Sequence, residues 1–95
     1  MARENAIVKS VLDYLNSLPE CVAEKTYGSA ISSGKADING CYRGRAFRLE
    51  IKTSDYGNTA SVKQKVNLLR WKNAGAIVGV AYSLEDVKKM LGIGD

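Results

Sequence analysis

The chain has no histidine. That removes Ser-His and Cys-His catalysis, since both need an imidazole to carry the proton. Only two cysteines are present, Cys21 and Cys41. A structural zinc site takes about four Cys or His ligands, which this composition cannot supply. No apolar run approaches the roughly 20 residues needed to span a bilayer. The N-terminus carries Arg3 and Glu4 and then an amphipathic pattern, which is unlike a signal peptide. A cytoplasmic protein with two free, partly buried thiols is therefore expected, although one disulfide is conceivable. Any hydrolytic chemistry must run on carboxylates, lysine, hydroxyls or metal.

What is present fits one domain over residues 1–95. So short a chain buries a modest fraction of its surface, and oligomerisation is a common remedy for the weak core that results. The net charge of +4 is uneven. Residues 35–72 hold nine basic side chains against three acids, whereas the rest of the chain holds five against seven. A basic stripe of this kind suits a polyanion such as nucleic acid, or is simply a solvated face.

Hydrophobic periodicity predicts the elements. Ile7, Val8, Val11, Leu12, Leu15 and Leu18 follow helical spacing over residues 2–18, which Pro19 closes. Glu4 lies one turn before Val8 and prolongs the stripe; a first-turn acid complementing the helix dipole is its structural reading. Residues 21–27 alternate weakly as a strand, and 28–34 are rich in Gly and Ser. Residues 35–42 and 45–53 read as a hairpin around Arg43-Gly44, with Asn39-Gly40 as a second possible turn. In the second strand Phe47, Leu49 and Ile51 take one face and Arg48, Glu50 and Lys52 the other. A polar loop over 54–59 precedes a helix over 61–73 with Val62, Val66 and Leu69 on one side, flanked by Leu68 and Trp71, and Gly75 as its stop. The apolar run over 76–82 suits a strand buried on both sides. Ser83 caps a last helix that fades at Gly92. The order α-β-β-β-α-β-α gives an α/β fold, a mixed sheet with helices packed on it.

With Arg43-Gly44 as a two-residue turn, paired positions add to 87, and Asp37 falls opposite Glu50. Opposite residues share a face, with Cβ atoms roughly 5 Å apart. Facing carboxylates repel, and a divalent cation between them removes that cost. Mg²⁺ takes a few carboxylates and completes its octahedron with waters and phosphate oxygens. Lys52, on the same face, could orient an attacking water or stabilise developing negative charge. The structural alternative is plain: Glu-x-Lys is a common pattern on an exposed strand face, with Asp37 pairing to Arg48. Gln64 completes a capping box with Ser61, or holds a water or phosphate beside a metal. Trp71 and Tyr82 are core residues or base-stacking platforms. Arg43, Arg45, Lys63, Lys65, Arg70 and Lys72 are candidate phosphate contacts, which give affinity without reading sequence.

Gly34-Lys35-Ala36-Asp37-Ile38, Gly44-Arg45, Leu49-Glu50-Ile51-Lys52-Thr53, Ser61, Gln64 and Gly75 before an apolar strand form an ordered set. This set resembles the VRR-NUC branch of the PD-(D/E)XK nucleases, in the compact stand-alone form found in phages and prophages. The resemblance implies a restriction-endonuclease-like αβββαβ core, with a four-stranded mixed sheet and a C-terminal helix. It also implies Mg²⁺- or Mn²⁺-dependent hydrolysis of phosphodiester bonds in branched or duplex DNA. Asp37, Glu50 and the Ile51 carbonyl would be metal ligands and Lys52 the catalytic lysine. Gln64 matches the family's glutamine on the following helix. Glu4 matches the first-helix glutamate of Holliday-junction resolvases, whose dimers imply a homodimer here. Ala36 departs from the proline often found before the first acid, a position of backbone geometry rather than chemistry. Two other classes remain open from sequence. One is a nucleic-acid-binding module of the same fold without catalysis. The other is a small subunit that meets a protein partner through Trp71 and the apolar helix faces.

Overall fold

The computed structural model describes residues 2–26, 37–52 and 62–94, with the side chains of residues 2–4 excepted. Lys35 and Ala36, the loops over 28–34 and 54–59, and Ser61 of the expected capping box lie outside the described residues. The elements run α1 (Ala2–Asn16), β1 (Cys21–Lys25), β2 (Ile38–Tyr42), β3 (Arg45–Ile51), α2 (Val62–Asn73), β4 (Ile77–Ala81) and α3 (Leu84–Leu91). The four strands lie in the order β1-β2-β3-β4. β2 runs antiparallel to both β1 and β3, and β4 runs parallel to β3. The sheet is therefore mixed, as the element order predicts. Among the described residues no helix is long and apolar enough to cross a membrane.

The β2–β3 hairpin turns at Arg43-Gly44, and both residues have positive φ, 51° and 83°. Two such residues in succession make the mirror-image turn whose twist matches that of the flanking strands. Gly44 adopts that backbone without penalty. Arg43 is held in it by its N–H, which donates to the Glu20 carbonyl at 2.8 Å. Asn39-Gly40, the rival turn, lies inside β2. A Cβ on Gly40 would collide with the Val22 carbonyl oxygen and the Phe47 ring. The register follows: Tyr42 pairs with Arg45 and Ile38 with Leu49.

Val8, Val11 and Leu15 of α1 and Val87 and Leu91 of α3 pack on one sheet face with Ile38, Phe47, Leu49, Ile51 and Ala81. This is the core, and it is one-sided. Ser83 accepts a hydrogen bond from the Asp86 N–H at 3.2 Å and starts α3 as the sequence predicts. Asn16, the last residue of α1, exchanges two hydrogen bonds with the Ala23 backbone, at 3.0 and 2.9 Å. A side chain thereby occupies backbone groups on β1, an edge strand that would otherwise offer them to another chain. Cys21 and Cys41 are both free. Cys41 pairs with Val22, so the two thiols stand on opposite faces of the sheet, and Cys41 is exposed rather than partly buried.

Two expectations fail on the other face, which α2 covers. The stripe Val62, Val66 and Leu69 points away from the sheet, at 77%, 54% and 55% exposure. The side that meets the sheet carries Gln64, Asn67, Leu68 and Trp71, of which only Leu68 is buried. Apolar spacing picked the wrong side because the sheet surface beneath α2 is mixed, with Asn39, Arg48 and Glu50 beside the half-buried Val78 and Val80 of β4, so the helix meets it with polar side chains as well as Leu68. β4 is likewise not buried on both sides. It is an edge strand, and only Ala81 in it is fully buried.

Candidate active site

The site forms where β3 ends. Phe47, Leu49 and Ile51 are fully buried on the core side. Alternation then turns Arg48 and Glu50 toward α2. Glu50 is 1% exposed and is the one buried charged residue among those described. The reading of Glu-x-Lys as a solvated surface pattern therefore fails, because α2 roofs this face.

Three side chains converge on Glu50. Gln64, in the first turn of α2, donates from Nε2 to Oε2 of Glu50. Lys52 Nζ stands 3.4 Å from that same oxygen, with 17% of its side chain exposed. Asp37 precedes β2, and its Oδ2 accepts the Ile51 N–H at 2.8 Å. This bond ties the acid to the strand that carries Glu50, and among the described residues Asp37 forms no ion pair with Arg48. The other oxygen of Glu50, Oε1, is buried without a hydrogen-bond partner.

Burial holds the Glu50 carboxyl well above its ordinary value of 4.5, at about 7, and the nearby Asp37 charge pushes the same way. Lys52 opposes both without cancelling them. An unpartnered buried carboxylate oxygen beside a second acid is costly when ionised. A divalent cation removes both costs, so the donor set fits one. Among the described residues no group of three or more His, Cys, Asp or Glu side chains assembles. Two carboxylates with a backbone carbonyl suit Mg²⁺, which keeps several waters.

α2 runs back along β3. Gln64 meets Glu50, Trp71 meets Arg48, and Gly75 just beyond the helix meets Arg45. The six basic candidates separate along this line. Lys63 and Lys65 flank Gln64 and are exposed, and Arg70 and Lys72 lie in the last turn of α2. Arg45 opens β3, about 17 Å from Glu50 at 3.4 Å per residue, and Arg43 lies beyond it in the turn. Arg45 is bonded to the Gly75 carbonyl at 3.0 Å, and Arg43 lies 3.4 Å from Glu20. Glu4 falls in the first turn of α1, and its side chain lies outside the described residues.

A solved structure described as "VRR_NUC domain" superposes on the chain with a TM-score of 0.73, over 95% of each chain, at 22% sequence identity. The fold is that of a VRR_NUC domain. No family model matches the chain, and no curated protein does. Within this VRR_NUC fold three residues reach the α2 face that sequence reasoning passed over as candidates: Asn39, Arg48 and Asn67. The Arg48 guanidinium lies 3.5 Å from the centre of the Trp71 ring. Spacing carried the signal. Arg48 is two residues from Glu50 on a strand, and Asn67 is three from Gln64 on a helix.

Proposed function

We propose that the chain is a divalent-metal-dependent, structure-selective DNA endonuclease that hydrolyses phosphodiester bonds, acting as a homodimer on branched DNA such as four-way junctions. One observation carries this reading. Glu50 is buried with Oε1 unpartnered, while Oε2 is engaged by Lys52 and Gln64 and Asp37 stands beside it. A module that only bound nucleic acid would gain nothing from burying an acid in this way. The VRR_NUC fold, the basic excess around the site and the Lys52 ammonium support the same reading.

Asp37, Glu50 and the Ile51 carbonyl would hold Mg²⁺ or Mn²⁺. When bound there, the cation lowers the pKa of a water and polarises the phosphoryl group. The chain's own residues do the rest. Gln64 fixes the Glu50 carboxylate through Oε2 and leaves Oε1 for the cation. The Ile51 N–H fixes Asp37 through Oδ2. Lys52, held at the rim by Glu50, orients the attacking water and offsets negative charge on the phosphorane-like transition state. A two-fold dimer would set two such sites against the two strands of a junction.

A branched-duplex cleavage assay with Mg²⁺ or Mn²⁺ tests the reading. Asp37→Ala and Glu50→Ala should each abolish cleavage, and Lys52→Ala should lower it by at least about 100-fold. Wild-type rates in either acid variant would show the assigned site to be wrong. Sedimentation of the active protein as a monomer would remove the dimer from the proposal.

A further inference from the structure

One turn of α2 away from Gln64 lies a cavity of about 160 Å³, lined among the described residues by Asn39, Arg48, Asn67 and Trp71. Nothing in the assigned chemistry uses it. Arg48 is two residues from Glu50 on the same strand face, about 7 Å away. Asn67 is three residues from Gln64 on the inward side of the helix, about 4.5 Å along its axis. The cavity and the acids therefore share one surface, a nucleotide's reach apart.

Its walls have a particular chemistry. The Arg48 guanidinium stacks on the Trp71 ring at 3.5 Å and, among the described residues, makes one long hydrogen bond, to the Phe47 carbonyl at 3.3 Å. Burial lowers its pKa, and no carboxylate pairs with it among the described residues. Most of its donors are thus left for a ligand. Asn39 donates its Nδ2 to the Thr26 hydroxyl, which fixes the amide and leaves Oδ1 as an acceptor. Asn67 brings a whole amide, donor and acceptor together. A phosphate would need donors alone. Mixed donors and acceptors beside a flat stack of guanidinium on indole suit the edge and face of a nucleobase.

We propose that this cavity is a subsite for an unpaired nucleobase, the one next to the phosphate held at Asp37 and Glu50. The proposal rests on the nucleic-acid substrate argued above. It assigns to Asn39, Arg48, Asn67 and Trp71 the recognition of a base outside the duplex, as branch points and strand ends supply.

Trp71 is the only tryptophan of the chain, so its emission reports on the cavity without interference. The experiment titrates wild-type protein, in EDTA so that nothing is cleaved, with two end-labelled single strands. One is a short oligodeoxynucleotide and the other is the same backbone built from abasic residues. Label anisotropy gives the affinity, and Trp71 emission gives occupancy of the cavity. The base-bearing strand should change Trp71 emission on saturation. The abasic strand should bind about tenfold more weakly and leave the emission unchanged. Asn67→Ala, which keeps a good helix former in α2, should weaken the base-bearing strand by a similar factor and leave the abasic one unaffected. An equal change with the abasic strand or with inorganic phosphate would make this a phosphate subsite and overturn the proposal. So would tight binding of the base-bearing strand with no change in emission. Junction cleavage in Mg²⁺ alongside either negative result would sink the base subsite alone. Failure of both strands to bind would overturn the base subsite, and only absence of junction cleavage as well would sink the nuclease reading together with it.

Discussion

Glu50, the acid at the centre of the proposed site, also governs how the stability of the molecule responds to pH. In the unfolded chain its carboxyl loses a proton near the ordinary 4.5, and in the folded chain near 7. Between those values the folded protein holds a proton that the unfolded chain has released, so raising the pH favours unfolding. Stability from this group is complete below pH 4.5, is lost as pH rises toward 7, and is level above that. The full change is on the order of 3 kcal/mol in metal-free protein. Urea unfolding in EDTA across this window should show the decline, and Glu50→Gln should flatten it; an equal slope in both proteins would mean that Glu50 is not the cause. The sequence made Glu50 visible as one of two acids placed on a common face by an inferred turn. Its burial was not visible. Alternation says which side of a strand a residue takes, and only the roof, contributed by a helix that begins twelve residues later, decides whether that side is wet.

At the scale of elements, local pattern was enough wherever one face met the core. The α1 stripe, the hairpin register through Arg43-Gly44 and the Ser83 cap all follow from short-range rules, and the structure has each of them. The pattern misled on α2, where the sheet surface below joins Asn39, Arg48 and Glu50 to Val78 and Val80 and the helix offers it Gln64, Asn67 and Trp71 along with Leu68. Helical periodicity marks apolar sides, and here the apolar side faces outward. The consequence can be measured. Leu68→Ala, at the one buried position of α2, should cost about 2–3 kcal/mol in denaturant unfolding. Val66→Ala, on the stripe expected to be core, should change stability by no more than about 0.5 kcal/mol, since the valine is exposed and alanine is the better helix former. Equal losses at both positions would mean that the outward stripe is covered.

Over the whole molecule, the proposed function makes the same helix the guide for a polyanion. Successive residues of α2 are rotated by about 100°. With Gln64 and Trp71 toward the sheet, Lys63 and Arg70 fall on one flank and Lys65 and Lys72 on the other. Asn67 is on the Lys63 and Arg70 flank, the side of the helix toward β2, which also carries Asn39 and follows Asp37. Leu68 lies on the opposite flank, toward β4, the strand against which α2 packs. A strand crossing the acids and the Asn67 cavity therefore meets Lys63 and Arg70. Arg43 and Arg45 are at the far end of β3 and already hold partners. Each phosphate neutralised contributes about 0.9 to the slope of log affinity against log salt on duplex DNA. Lys63→Ala and Arg70→Ala should each reduce the magnitude of that slope by about 0.9. Lys65→Ala, Lys72→Ala, Arg43→Ala and Arg45→Ala should leave it unchanged, as measured by anisotropy of a labelled junction across a salt series in EDTA. A slope that falls equally for all six would mean that net charge, rather than this flank of α2, directs the nucleic acid.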